Sequence, residues 1–135
     1  MLKLNKLTRK IVLLSLLAFV GVVGCSDSPS GPELVTLTIG VETPTVDLLA
    51  GMESYDTQCQ GCHGAMGGGG TSGRALNAYA PGSFYSTFSN LQDKIHRTMP
   101  KGALGASACE DACADDVSGH IYCEWNPTLV TSGCP

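Results

Sequence analysis

The chain has 135 residues, a net charge of −4 and seven cysteines, enough for one small domain and too short for a large hydrophobic core. Four of its eight basic residues lie in the first ten positions, where there is no acidic residue, so the remainder sets four basic against twelve acidic side chains, a net charge of −8. That balance excludes a nucleic-acid binder, which needs a basic face.

Residues 1–24 read as a signal peptide. Lys3, Lys6, Arg9 and Lys10 form a positive start, and Ile11 to Val23 form an apolar run too short to span a bilayer comfortably. Val22-Val23-Gly24-Cys25 resembles the bacterial lipobox, which implies cleavage before Cys25, lipid on its thiol, and anchoring to a bacterial membrane on the periplasmic side or cell surface. Residues 25–46 read as the lipidated N-terminus and a flexible tether, because Ser26 to Pro32 has no apolar period and its prolines keep it extended. Leu34 to Ile39 has β-former composition with partial alternation but is kept within the tether. Residues 47–135 are then the working domain. At about 90 residues it needs reinforcement from a bound group or disulfides.

Leu48, Leu49, Met52, Tyr55 and Cys59 recur at three to four residues and predict a helix entered after Pro44. It delivers Cys59-Gln60-Gly61-Cys62-His63, the spacing that attaches a c-type haem. Two thiols a helical turn apart add to the two vinyl groups, and His63 binds iron from the proximal side. A zinc reading needs a second ligand pair, and Cys109 and Cys113 are one residue too far apart for another C-x-x-C. A thioredoxin-like pair wants a βαβ setting that the pattern does not offer. The glycine-rich stretch from Gly64 to Gly73 suits a loop passing close to a flat cofactor. It is no phosphate loop, since no Gly-Lys-Ser/Thr follows.

Ala80 to Ser83 predicts a turn, and Leu91 to Arg97 a short helix stopped by Pro100. A last helix is expected from about Asp111 to Trp125, with Asp111, Asp115 and Asp116 crowding its positive end. Cys109, Cys113, Cys123 and Cys134 are an even set in an exported chain, and four cysteines permit three pairings. Cys109 and Cys113 are a helical turn apart, about 6 Å between α carbons. The expected pairs are therefore Cys109–Cys113 and Cys123–Cys134, with a long-range pairing left open.

From Asp47 to Trp125 the chain resembles class I c-type cytochromes with a single haem. The resemblance rests on the Cys59–His63 motif, on Leu91-x-x-x-Ile95-x-x-x-Met99-Pro100, and on Gly51 four residues before Tyr55. It is weaker at Gly73-Arg74-Ala75-Leu76, where the family has Gly-Pro-x-Leu, and at Asp116 to Ile121, where His120 replaces an aromatic residue. It implies an all-α class I cytochrome c fold of three to five helices around one covalently attached haem c. Cys59 and Cys62 would hold the haem, His63 and Met99 its iron; Met52, Met66 and His96 are poorer distal candidates, and His120 is a bis-histidine alternative. The Arg74 carbonyl would orient His63, and the first and last helices would cross at Gly51.

The implied role is that of a one-electron carrier rather than an enzyme, with redox proteins as donor and acceptor and the membrane reached through the lipid anchor. The alternatives are a five-coordinate haem protein with peroxidase or gas-sensing activity, and an electron-entry subunit of a larger dehydrogenase or oxidase complex. Lys94, Arg97 and Lys101 flank Met99 and are candidate docking residues for an acidic partner surface.

Overall fold

Asp47 begins the helical part of the chain by capping it. In the computed structural model, which describes residues 33–100 and 108–135, its carboxylate accepts the N–H groups of Leu49 (3.1 Å) and Ala50 (3.0 Å). The signal segment, the lipidation site Cys25 and Lys101 lie outside the described residues. Helix α1 (Leu48–Ser54) runs into a π-helical turn (Tyr55–Cys59) and then into α2 (Gln60–His63). Phe84–Ser86 is a 3₁₀ turn, followed by α3 (Phe88–Thr98) and α4 (Ala112–Trp125). Among the described residues no helix is long and apolar enough to cross a membrane.

The all-α expectation is wrong. The chain also forms β1 (Leu34–Thr36), β2 (Thr38–Ile39), β3 (Thr45–Asp47) and β4 (Val130–Ser132), paired antiparallel as β1 with β3 and β2 with β4. This is a mixed α/β arrangement with two small sheets, not the all-α class I cytochrome c fold that the motifs imply. The second half of the expected tether is therefore folded. Gly40 turns the chain at positive φ, Ile39 and Glu42 exchange backbone hydrogen bonds at 3.0 Å, and Leu37, Ile39 and Val46 are buried. Burying such side chains contributes roughly 1.5–3 kcal/mol each. That is a large share of the ~5–15 kcal/mol that holds a small domain together. β4 pairs with β2, and the Cys123–Cys134 disulfide pins the tail that carries it.

The helices meet where glycine removes the side chain. A Cβ on Gly51 would stand 2.1 Å from the Asp116 carbonyl oxygen, so α1 and α4 approach backbone to backbone there, and one on Gly119 would stand 2.6 Å from Val46 Cγ2, where α4 takes the side chain of β3. The expected crossing at Gly51 is present. The buried stripe of α1 nevertheless runs through Gly51 and Tyr55, while Leu49 and Met52, expected on that face, are exposed. α4 spans nearly the expected range, and the expected Cys109–Cys113 bridge is formed just at its start. Asp47 N–H donates to Asp116 Oδ1 at 2.8 Å, tying the two helix starts together.

Candidate functional site

The π-helical turn sets up the cysteine motif. Gln60 N–H donates to the Tyr55 carbonyl five residues back, which widens the turn just before Gln60-Gly61-Cys62-His63. Tyr55 itself is fully buried. Its hydroxyl donates to the Gly64 carbonyl at 2.7 Å, and its ring meets Trp125 edge-on at 4.7 Å, so the residues on either side of the motif are fixed to α4.

After His63 the chain folds back under the motif. Gly69 N–H donates to the His63 carbonyl (2.9 Å) and Gly73 N–H to the Cys62 carbonyl (3.0 Å). A Cβ on Gly73 would lie 2.6 Å from that Cys62 oxygen and 2.8 Å from His63 Nδ1, so only glycine allows this approach. Gly67 (φ 61°) gives room to the Trp125 ring, 2.7 Å from where its Cβ would be.

The fold-back places the Arg74 carbonyl 2.8 Å from His63 Nδ1, the contact expected of it. A carbonyl oxygen only accepts, so Nδ1 carries the proton and Nε2 keeps its lone pair for a metal. On the other side α3 stops before Pro100, and Met99 takes an extended backbone (φ −130°, ψ 148°), as the residue before a proline should.

Cys59, His63 and Met99 line one cavity of about 350 Å³. Its walls are largely apolar, with Leu76, Leu91, Ile95, Val117 and Ile121 among them, and Tyr79, Phe84, Tyr85 and Lys94 also border it. This is the size and character of a preformed cofactor pocket, lined by apolar side chains with a few placed donors. Cys62 is exposed, with Ser72 Oγ 3.8 Å from its sulfur. Burial pushes the Cys59 thiol up to about 11, with the nearby Cys62 adding to the effect. A thiol attacks a disulfide as its thiolate, the form that burial disfavours at Cys59.

Zinc fares no better: Cys109 and Cys113 are joined to each other, and among the described residues no three His, Cys, Asp or Glu side chains converge on a metal position. A haem fits what is present: two unbridged thiols a turn apart, an imidazole with its outer nitrogen already bonded, and a thioether on the same apolar cavity.

The remaining candidates separate clearly. His120 packs against Trp125 (5.1 Å) and Tyr55 (5.7 Å), away from the cavity wall, and burial lowers its pKa. His96 faces Asp111 at 3.9 Å, and Met52 and Met66 are exposed. Of the docking set, Lys94 borders the cavity, Arg97 pairs with Asp93 on its own helix, and Lys101 is outside the described residues.

Two supporting residues were not foreseen. Asn126, buried, donates to the Leu76 carbonyl (2.8 Å) and the Ile121 carbonyl (3.1 Å) and accepts Tyr79 N–H (2.9 Å), fastening a cavity wall to the end of α4. Glu42 reaches the start of α3 across more than forty residues of sequence. An asparagine just after a helix is an ordinary cap signal, so nothing in the sequence marked it out. Compared with family models and with curated proteins, the chain matches none.

Proposed function

We propose that the chain is a monohaem c-type cytochrome, akin in its motifs to the class I proteins, that carries single electrons outside the cytoplasm while anchored through lipid on Cys25. The observation that carries this reading is the shared cavity of Cys59, His63 and Met99, with His63 Nδ1 already committed to the Arg74 carbonyl. Cys59 and Cys62 would hold a haem c as thioethers, and His63 Nε2 and the Met99 sulfur would bind its iron. When bound, the haem supplies a one-electron Fe(III)/Fe(II) couple.

The chain's own part is to position and shield. Arg74 fixes the imidazole ring and makes it a better donor, Met99 offers a soft thioether, and the aliphatic walls keep water out. Lys94, bordering the cavity, adds positive potential on a strongly acidic body, which suits brief, oriented encounter with an acidic redox partner.

The first described strand starts at Leu34, and the eight residues (26–33) between it and Cys25 reach at most about 30 Å even when extended. The donor and acceptor are therefore met close to the membrane.

A redox titration of the haem-loaded protein tests the function. We expect one reversible one-electron step, a low-spin spectrum, and a lower potential in Met99→Ala, since a thioether favours the ferrous state. A high-spin spectrum in the unaltered protein, with turnover of peroxide, would favour an enzyme instead.

A further inference from the structure

α3 is the limb that presents Met99, and its first amides need acceptors. Among the described residues its N-cap, Thr87, makes no side-chain cap bond. The Glu42 carboxylate takes that place: Oε2 accepts Phe88 N–H at 2.6 Å and Oε1 accepts Ser89 N–H at 3.1 Å. Both oxygens are used, both bonds are charge-assisted, and the negative charge stands at the positive end of the helix.

Glu42 is itself held firmly. Its backbone exchanges two hydrogen bonds with Ile39 across the Gly40–Val41 turn, and Ile39 is buried in the core. The β hairpin therefore grips α3 at one end, and Met99 lies at the other, where its N–H closes on the Ile95 carbonyl at 3.0 Å. Between them Leu91, Lys94 and Ile95 of the same helix border the cavity.

We propose that Glu42 is a positioning residue for the distal ligand: by capping α3 it fixes the register of the helix and so holds the Met99 sulfur toward the iron. The inference rests on the reading of Met99 as that ligand. It gives the added β hairpin a role in the site, since a contact made by residues 34–46 would set how readily Met99 lets go.

The test uses the haem-loaded chain with Glu42→Gln and Glu42→Ala, and Glu53→Gln as a control that removes an exposed carboxylate on α1. Imidazole, added to the oxidised protein, competes with Met99, and loss of the long-wavelength thioether-to-iron absorption band reports the displacement. Amide hydrogen exchange at Phe88 and Ser89 reports the cap separately.

We expect Glu42→Ala to raise both the apparent imidazole affinity and the exchange at the two amides by about tenfold, the effect of losing a good helix cap. Glu42→Gln, which keeps one acceptor oxygen, should fall between, and Glu53→Gln should match the unaltered protein. Glu42→Gln also serves if the alanine variant does not fold. Faster amide exchange with unchanged imidazole affinity in both Glu42 variants would reduce Glu42 to a structural cap and overturn the proposal. Unchanged exchange would overturn the cap itself. An unaltered protein that lacks the thioether band would instead defeat the reading of Met99, a distinct failure.

Discussion

Gly51→Ala asks whether α1 and α4 really meet backbone to backbone. The added Cβ would lie 2.1 Å from the Asp116 carbonyl oxygen and 2.6 Å from its carbon, with His120 Cβ at 3.1 Å. Relieving that contact needs a separation of about 1 Å between two helices that the Asp47–Asp116 hydrogen bond also ties together. Overpacking of this kind costs ~1–3 kcal/mol. The clash is with backbone, which cannot rotate away, so the upper end applies. Alanine returns about 1 kcal/mol through helix propensity, leaving a net loss of about 2 kcal/mol and, for a domain of this size, a fall in Tm of roughly 10 °C.

Gly61→Ala is the matched control. Gly61 is in the continuing helix at an exposed position, and among the described residues nothing lies within 4 Å of where its Cβ would be. There the same substitution should stabilise by about 0.5–1 kcal/mol. Thermal unfolding followed by far-ultraviolet circular dichroism on the two haem-loaded variants gives the comparison. Equal midpoints, or a Gly51 variant more stable than the Gly61 one, would refute the close crossing.

Asn126→Ala removes three hydrogen bonds and leaves the Tyr79 N–H without its partner, so a loss of about 3 kcal/mol is expected in denaturant unfolding, and a loss below 1 kcal/mol would contradict the staple. Burial raises the Asp116 carboxyl above its usual range, with the Asp47 charge adding and the bond from Asp47 N–H opposing. A group raised in this way gives stability that is present below its unfolded pKa of about 3.9 and lost as pH rises through the folded value. Asp116→Asn keeps an oxygen for Asp47 N–H and drops the charge, so it should be more stable than the unaltered protein at pH 7, the difference closing below about pH 4. A Tm series against pH that shows the opposite trend would reject this assignment.

The residues of the candidate site lie in short runs of sequence that could be picked out before the fold, and the fold that frames them could not. Cys59, Cys62 and His63 are neighbours on one helix, Met99 is fixed by the proline after it, and Arg74 follows His63 within a single loop, so each contact depends on local spacing. The two disulfides were legible for the same reason, since both close short segments.

The sheets were not, because strands of two or three residues leave little alternation to read, and Thr38 finds Ser132 only through tertiary structure. Leu34 to Ile39 did alternate, but its partners, Thr45–Asp47 and a three-residue tail strand, carried no signal of their own. Glu42 looked like one more acidic residue in a tether; only the fold sets it against Phe88 and Ser89. The π-helical turn at Tyr55–Cys59 likewise has no signature in local composition, and its Tyr55 ring meets Trp125 from the far end of the chain.

The central claim is covalent attachment at Cys59 and Cys62, and the most direct measurement is the mass of the fully denatured, reduced protein and of its proteolytic peptide spanning residues 59–63. The account predicts the processed, lipid-bearing polypeptide plus one haem, with the haem mass on that peptide and no alkylation of either cysteine by a thiol reagent. A peptide mass without haem, with Cys59 and Cys62 both alkylated in protein recovered from a host that attaches haem to c-type cytochromes, would contradict it.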